Sequence, residues 1–288
     1  MKKSVSAYSF EQYINKGKMK LLDVPEAAHR YGFEGIEFVD TLGKTQEERL
    51  ETARALRREC EARNMTVTCY SVYAALYKPE SSDAEVARLK AELDVAAELG
   101  AKIFRHDGDR DIPKTGAVRS FDAMLPLMAE NCRRVTEYGQ SLGIVTAVEN
   151  HGRLVQDSDR MERLFAAVGH ENFRLLIDIG NFSSVDDNIP LAVSRLAPYA
   201  AHVHLKDMVI YSYDHGKPAD SDKYWYSRTR AFNYSRGCAL GEGNVPVRQC
   251  IEILRGAGYD GFFSLEYEGE DDCLEGIQRG YDLMTSME

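Results

Sequence analysis

The sequence predicts a single α/β domain, a (β/α)8 TIM barrel that spans residues 1–288. Short apolar segments of strand length alternate with longer amphipathic segments of helical periodicity, which is typical of βαβ units around a parallel sheet. A Gly-aromatic-acid-Gly motif occurs twice, at 31–37 (YGFEGIE) and 257–266 (AGYDGFFSLE), and each time it precedes a predicted strand that ends on glutamate. A doubly wound open sheet is the structural alternative, but no G-x-G-x-x-G sequence follows an early strand to support it.

Eight segments have the length and the residue types of strands. They are rich in aliphatic, β-branched and aromatic residues, and each is followed by loop or helix signals. The predicted strands are residues 5–9, 35–39, 66–72, 102–106, 144–150, 174–179, 201–206 and 261–267. Eight such strands within 288 residues suit a closed barrel better than an open sheet.

Capping residues mark the ends of the helices between these strands. Asp23 and Glu26 have the spacing of a capping box, with Pro25 in the first turn. Glycines mark the ends of three further predicted helices: 83–99 stops at Gly100, 120–142 at Gly143 and 157–168 at Gly169. Pro190 and Pro246 lie near the starts of two later helices.

One connection, residues 207–244, is far longer than an ordinary loop between a strand and the next helix. Aromatic and basic residues are concentrated in it: Tyr211, Tyr213, His215, Tyr224, Trp225, Tyr226, Arg228, Arg230, Tyr234 and Arg236. Disordered segments are poor in aromatic residues, so we expect an ordered loop. It is either a lid over the active face or a contact between the subunits of a homo-oligomer.

The composition excludes several classes of protein. A net charge of −10 and a pI near 5.3 disagree with a nucleic-acid groove, which needs a basic face. The six cysteines contain no C-x-x-C pair, which indicates reduced, cytoplasmic usage rather than a disulfide framework. Neither a signal peptide nor a run of membrane-spanning length is present in the sequence. We therefore expect a cytoplasmic protein with a small-molecule substrate and neither a nucleic acid nor a membrane as partner.

Four of the predicted strands end on a side chain that binds metals. These are the runs 145–149 (VTAVE), 175–178 (LLID), 201–204 (AHVH) and 262–266 (FFSLE). Because a parallel barrel gathers the C-terminal ends of its strands at one face, their last residues are expected to form one ring. Three carboxylates and one imidazole suit a divalent cation, with Mn²⁺ expected first and Co²⁺, Mg²⁺ or Zn²⁺ as alternatives.

A cation in such a ring indicates a class of chemistry. Four protein ligands leave two of six coordination positions open, which a sugar with adjacent carbonyl and hydroxyl groups could occupy. The cation would act as a Lewis acid and stabilise the enediolate that forms when the α-proton leaves. A carboxylate at the rim of the site could take that proton.

Several motifs resemble those of one family. They are GFEGIEF (32–38), AVENHG (147–152), LIDIGNF (176–182), HVHLKD (202–207), LGEGNVP (240–246) and SLEYEG (264–269). In this order and spacing the chain resembles the xylose-isomerase-like barrels, including the sugar phosphate isomerase/epimerase group and the inosose dehydratases, over nearly its whole length. The resemblance implies that Glu149, Asp178, His204 and Glu266 are the metal ligands. It also implies that Glu149 and Glu266 face opposite sides of the substrate and exchange its proton.

One position departs from the pattern of the ketose 3-epimerases similar to this chain. They have a substrate-binding histidine three residues after the metal-binding aspartate, where this chain has Asn181. An asparagine can hydrogen-bond a sugar hydroxyl but cannot take a proton. The expected function is therefore a metal-dependent isomerase or epimerase of a sugar or sugar derivative. The alternative is a lyase of the same fold, such as an inosose dehydratase or a 3-keto-glycoside lyase.

Other classes fit the sequence less well. Apurinic endonucleases share the barrel, but they hold three zinc ions with many more ligands and need a basic face for DNA. This chain has seven histidines and a charge of −10. A non-catalytic binding barrel is disfavoured because the set of four ligands is intact.

Further candidate substrate-binding residues lie at strand ends. Glu37 ends the second strand, where a structural salt bridge is as good an interpretation as substrate contact. Arg105 and His106 end the fourth strand and are interpreted as substrate-binding. His151 is either a partner of a metal ligand or a proton carrier. Lys206 is a candidate for substrate contact or for the acid/base of a lyase.

Within the long connection, Trp225 and Arg228 are the candidates for substrate contact. A tryptophan ring could stack on a sugar or an aglycone, and a guanidinium could bind hydroxyl or anionic groups.

Overall fold

The computed structural model describes residues 1–40, 42–110, 112 and 118–287. Within these residues, eight parallel strands close into a barrel, which confirms the predicted fold class. The barrel strands are β1 Lys2–Ser6, β2 Gly35–Val39, β3 Thr66–Val72, β4 Ile103–His106, β5 Val145–Glu149, β6 Phe173–Asp178, β7 Ala200–Leu205 and β11 Phe262–Leu265. Neighbours in sequence pair around the ring from β1 to β7, and β11 closes it between β7 and β1.

Helices surround the barrel in alternation with most of its strands. In chain order they are α1 Glu11–Asn15, α2 Val24–Tyr31, α3 Gln46–Glu61, α4 Ser82–Leu99, α5 Phe121–Ser141, α6 Ser158–Val168, α7 Ile189–Leu196, α8 Val247–Gly256 and α9 Cys273–Ser286. The side chains of Ser120 and Asp157 cap α5 and α6, and Gly100 and Gly169 end α4 and α6 in the left-handed conformation. None of the helices in the described residues is long and apolar enough to cross a membrane.

Two local predictions were wrong. The Asp23 carboxylate does not cap α2 but accepts a hydrogen bond from the Lys20 amide (2.9 Å), because a 3₁₀ turn at Leu21–Asp23 precedes the helix. The first strand was predicted at 5–9 but lies at Lys2–Ser6. Its two lysines hid it from the apolar pattern, although the backbone there pairs with β11 along its length.

The core has a large outer layer between strands and helices and a small inner one. Phe104, Leu93 and Leu164 are among the fully buried side chains of the outer layer. Cys69, Ala147 and Leu176 form a separate, smaller buried cluster. The outer layer fixes the strands by hydrophobic burial, at about 1.5–3 kcal/mol for each large side chain.

The connection 207–244 is not irregular. It contains a three-stranded antiparallel sheet in the order β8-β10-β9, formed by β8 Asp207–Tyr211, β9 Ser227–Arg228 and β10 Tyr234–Cys238. We call it the roof sheet. Tyr211 and Tyr234 are paired in register across it. Tyr211 and Tyr234 therefore belong to this sheet, whereas Tyr224, Trp225 and Tyr226 lie in the segment before β9.

Candidate metal centre and active site

The four predicted metal-binding side chains meet at the C-terminal face of the barrel. Glu149 and Asp178 are the last residues of β5 and β6, His204 lies near the end of β7, and Glu266 directly follows β11. One ligand atom from each lies within 4.8 Å of the others. His204 Nδ1 is 3.5 Å from Glu149 Oε1, 3.6 Å from Glu266 Oε1 and 3.8 Å from Asp178 Oδ2.

These residues fit a divalent cation. His204 Nδ1 is buried and has no hydrogen-bond partner within the described part of the chain, and the buried Asp178 Oδ2 has an ion pair with the Lys206 ammonium at 3.1 Å but no hydrogen bond of good geometry. Buried polar atoms are nearly always bonded, so two such atoms facing each other indicate a binding position. Ligands at about 2.0–2.2 Å from one ion lie roughly 3–4 Å from each other, as these atoms do. Carboxylate oxygens with one imidazole suit Mn²⁺, Co²⁺ or Zn²⁺.

The position of Glu37 accounts for the direction of the His204 ring. Glu37 Oε2 lies 2.7 Å from His204 Nε2 and 3.1 Å from His202 Nε2, and Glu37 Oε1 accepts from Ser71. The carboxylate is fully buried with both oxygens engaged. These contacts agree with the structural interpretation of Glu37. Its side chain also lines the cavity above the candidate metal ligands, so its contact with a substrate stays a prediction. Glu37 fixes the imidazole so that Nδ1 faces the carboxylates, a common arrangement behind metal-binding histidines.

A chain of charged groups reaches Glu149 from β4. The Arg105 guanidinium contacts the Glu149 carboxylate and lies 2.9 Å from Asp107 Oδ1, which also pairs with His151 Nδ1 at 2.9 Å. Asn181 Nδ2 donates to Glu149 Oε1 (3.0 Å). Burial opposes the charge of Glu149, but Arg105 and His204 outweigh it and hold the pKa of its carboxyl well below the usual range. Glu149 is thus kept ionised.

Lys206 supports the other side of the site. Its ammonium lies 2.7 Å from Glu266 Oε2, 3.1 Å from Asp178 Oδ2 and 3.1 Å from Glu268 Oε2. Burial raises the pKa of Glu266 to about 7, against the opposing effect of Lys206 and His204. Two carboxylates whose environments separate their pKa values are a common arrangement for acid–base work.

His106 does not belong to the site, contrary to prediction. Side chains alternate across a strand, and Arg105 points into the barrel, so His106 points out to the helices. Its ring is fully buried, about 6 Å from the rings of Phe104 and Phe173, and Nδ1 is 2.8 Å from the Asp107 carbonyl oxygen. Burial lowers its pKa to about 4. His106 is a neutral core residue.

Three of the four candidate metal ligands, Glu149, His204 and Glu266, line a cavity of about 480 Å³, called the catalytic cavity below after the role proposed for it. Arg105, His151 and Lys206 line it, together with Tyr8 and Tyr73. These positions agree with the expected substrate contacts of Arg105, His151 and Lys206, which remain predictions.

A second cavity, of about 660 Å³, lies beside the catalytic cavity under the roof sheet. It is lined by Asn181 and Trp225 and shares Lys206 and His151 with the first. Arg228 does not line either cavity in the described residues; its guanidinium stacks on Tyr234, 3.5 Å from the ring centroid.

Some residues of the site were missed in the sequence. Arg236 on β10 lines the second cavity, where Arg228 was expected. The sequence around Arg228 and Arg236 does not indicate which of the two arginines faces the cavity. Asp107 could have been found, since it follows a strand end in the same way as the metal-binding residues. The Tyr8 hydroxyl donates to Glu268 (3.3 Å) from a 3₁₀ turn that was predicted as strand.

Comparisons with known proteins agree with this architecture. A family model described as xylose isomerase-like TIM barrel matches residues 25–287. In sequence, the chain is 25% identical over 284 residues to a Streptomyces coelicolor protein with the provisional name hydroxypyruvate isomerase, covering 88% of each chain.

Solved structures are similar at lower identity. The IolI protein with a bound zinc atom has a TM-score of 0.77 and 14% identity, covering 100% of this chain and 98% of that one. AsbF of Bacillus anthracis, a probable 3-DHS dehydratase, has a TM-score of 0.76 and 18% identity, covering 99% of both chains. The D-psicose 3-epimerase of Clostridium cellulolyticum H10, solved with D-tagatose, has a TM-score of 0.75 and 15% identity, covering 100% and 99%. At these identities the similarity establishes the fold.

Proposed function

The chain belongs to the xylose isomerase-like TIM barrel family, and on this basis we propose that it is a metal-dependent isomerase or epimerase of a sugar or sugar derivative. One observation carries the proposal. Glu149 and Glu266 reach the same buried position from β5 and from the end of β11, and His204 Nδ1 lies within 3.6 Å of both. The site therefore combines a cation position with two carboxylates that can move a proton.

The proposed ligands of the cation are Glu149, Asp178, His204 and Glu266. When bound, a divalent cation supplies a Lewis acid that stabilises negative charge on a substrate oxygen. The zinc in the IolI structure supports Zn²⁺ as a candidate beside Mn²⁺, Co²⁺ and Mg²⁺. Glu37 holds the His204 ring in the direction that binding requires.

The two glutamates are proposed to exchange the proton. One carboxylate takes the hydrogen from the carbon next to the substrate carbonyl, and the electron pair of that C–H bond forms the enediolate. In an isomerase a proton is then delivered to the former carbonyl carbon, and the hydroxyl proton of the neighbouring carbon moves to the former carbonyl oxygen. In an epimerase the other glutamate delivers a proton to the opposite face of the carbon that lost one. Lys206 and Asn181 hold Glu266 and Glu149 in place through hydrogen bonds.

Two of the relatives support this reaction class. The Streptomyces coelicolor protein carries the name of an isomerase, and the Clostridium enzyme is a 3-epimerase whose structure contains a ketose. Both reactions proceed by proton transfer next to a carbonyl group. The catalytic cavity of about 480 Å³ has room for a monosaccharide.

A lyase is the second candidate, because Asn181 replaces the histidine of the 3-epimerases at a position in contact with Glu149. The same enediolate can expel a leaving group from the next carbon. AsbF, the probable dehydratase, shares the fold. Product analysis distinguishes the two, since a dehydratase product is lighter than its substrate by one water.

The test is hydrogen exchange in D₂O with a panel of ketoses, 3-keto-glycosides and inososes in the presence of Mn²⁺. An active substrate should gain deuterium at the carbon next to its carbonyl. Glu149→Gln and Glu266→Gln should each slow this exchange by about 10²–10⁴, the usual contribution of a positioned general base. Glu61→Gln, an exposed change on α3, is the control.

Metal content is measured on every variant by elemental analysis. A glutamine variant that binds metal and exchanges at the wild-type rate would assign the base to another residue, and His151 and Lys206 would be tested next.

A further inference from the structure

The second cavity is larger than the catalytic cavity and lies directly beside it. Their volumes are about 660 and 480 Å³, and both are lined by Arg110, His151, Lys206 and Glu268. A monosaccharide in the catalytic cavity would leave the second cavity free. The two volumes together suit a substrate with a further group attached to the sugar.

The roof sheet closes the second cavity as a fixed wall. On one side, Arg230 donates to Asp157 Oδ2 (2.9 Å) and to the Arg153 carbonyl oxygen (2.6 Å). On the other side, the Trp225 amide donates to Glu270 Oε1 (2.8 Å). The connection is thus joined to the loops after β5 and after β11. These contacts hold the lining residues at defined positions on both sides of the cavity.

The lining of the second cavity is basic, although the chain carries a net charge of −10. Four cationic side chains, Arg110, Arg153, Lys206 and Arg236, face two carboxylates, Glu268 and Glu270. Those six charges leave a surplus of two positive charges, and His151 also lines the cavity.

Both carboxylates already have partners. Glu268 lies 3.1 Å from the Lys206 ammonium and accepts from Tyr8, and Glu270 accepts from the Trp225 amide. The surplus charge therefore belongs to the arginines.

Two of these arginines have no carboxylate partner in the described residues. The Arg153 guanidinium donates to the Arg228 carbonyl oxygen (2.8 Å), and the Arg110 guanidinium lies over the Tyr73 ring at 5.8 Å. The third, Arg236, is held by Tyr226 and lies over Tyr224, with Asp220 3.7 Å away. Guanidinium groups held in this way present their remaining N–H donors to a planar or tetrahedral anion.

We propose that the second cavity binds an anionic group, a carboxylate or a phosphate, carried by the same sugar substrate whose carbonyl end occupies the catalytic cavity. Arg110 and Arg153 bind the anion, and Trp225 forms the wall beside it. This inference rests on the proposed function, because it takes the catalytic cavity as the site of the reacting carbonyl. It adds the substrate class: an anionic sugar derivative rather than a neutral monosaccharide.

The single tryptophan of the chain provides the measurement. Trp225 is 73% exposed and lines the second cavity, so a ligand there should change its fluorescence. We titrate the protein at constant ionic strength with fructose 6-phosphate and with glucuronate, each against its neutral parent, fructose or glucose. Inorganic phosphate is titrated alone. Calorimetry on the same pairs gives the dissociation constants where fluorescence does not change.

We expect at least one anionic sugar to bind about 10-fold or more tightly than its neutral parent, since hydrogen bonds to charged groups are the stronger ones. Arg110→Gln and Arg153→Gln should each reduce that preference by about 10-fold. Binding of the neutral parent should be unchanged in Arg153→Gln, because Arg153 lines only the second cavity. Arg57→Gln is the matched control, because Arg57 pairs with Glu61 on α3 and lines neither cavity. A preference for fructose 6-phosphate identifies a phosphate site, and a preference for glucuronate a carboxylate site.

Equal affinities for charged and neutral sugars would overturn the proposal, as would a preference that both arginine variants retain. The titrations are repeated on Asp178→Ala, because an anion bound directly to a cation in the catalytic cavity would mimic the effect. A preference lost in Asp178→Ala but kept in the arginine variants also rejects the second cavity as the binding site. Failure of the proposed function would be distinguishable from failure of this proposal. In that case deuterium exchange would be absent, while the preference for the anionic sugar would persist.

Discussion

Glu37 determines how His204 presents its ring. With Nε2 directed at a fully buried carboxylate, the imidazole leaves Nδ1 among Glu149, Asp178 and Glu266. Burial opposes the positive charge of His204, but Glu37 and Glu266 outweigh it and raise the pKa of the imidazole well above its usual value. One carboxylate behind the ring thus affects both its direction and its basicity.

At the residue scale we predict that Glu37→Gln weakens metal binding by about 10–100-fold, the usual effect of removing the group behind a metal-binding histidine. A glutamine side chain has a single acceptor oxygen, and its NH2 group only donates, so it cannot replace the carboxylate contacts to His202, His204 and Ser71 together. Competition titration with a chromophoric chelator measures the affinity. Glu61→Gln should bind metal as the wild type does. Wild-type affinity in Glu37→Gln would show that the ring is fixed by its packing alone.

Asp207 organises the element that follows β7. Its Oδ1 accepts from the amides of Met208 and Val245, and its Oδ2 accepts from those of Gly241 and Gly243. One buried carboxylate therefore joins the two ends of the connection 207–244. A Cβ at Gly243 would lie 2.2 Å from Asp207 Oδ1, so the close approach requires glycine there.

At the element scale we predict that Asp207→Ala lowers the free energy of unfolding by about 2–4 kcal/mol, because buried amides lose a charged acceptor. Urea denaturation followed by circular dichroism measures it. Asp214→Ala, in the exposed turn of the roof sheet, should change stability by less than about 0.5 kcal/mol. In hydrogen exchange, the amides of residues 207–244 should lose protection before those of the barrel strands. A loss no larger than in the Asp214 variant would contradict this role.

Closure of the barrel brings together the four residues of the proposed metal centre. These residues come from β5, β6, β7 and the end of β11, which span more than a hundred residues of sequence. An unfolded chain does not hold these side chains together. A cation that binds the native state alone should therefore stabilise the entire fold.

At the scale of the whole molecule we predict that excess Mn²⁺ or Zn²⁺ raises the melting temperature of the wild type. At a metal concentration a hundred times the Kd, binding adds about 2.7 kcal/mol to the free energy of unfolding. Asp178→Ala should lose this response and its stoichiometric metal. Scanning calorimetry and elemental analysis measure the two effects. Mg²⁺ and Co²⁺ are titrated in parallel to rank the metals. Full metal content in Asp178→Ala would reject the proposed ligand set.

The fold was predictable because its signals are local. The segments 35–39 and 66–72 coincide with β2 and β3, since apolar runs between turn residues need no distant partner to be recognised. The first strand and the capping box at Asp23 failed where a distant pairing or a preceding turn changed the local preference. The strand-end rule predicted that the four proposed metal ligands meet at one face, and the structure brings them together there, because the direction of parallel strands fixes the face at which they end.

The sequence by itself thus determined the barrel, the strands that carry the proposed metal ligands and the position of the long connection. Only the tertiary structure decided which way side chains at a strand end point, as with Arg105 inside the barrel and His106 outside it. It also decided that Glu37 contacts His204, and that Arg236 rather than Arg228 faces the second cavity. Periodicity and capping depend on neighbours within a few residues. Contacts across the barrel depend on ring closure, strand register and packing, which join residues that are far apart in the chain.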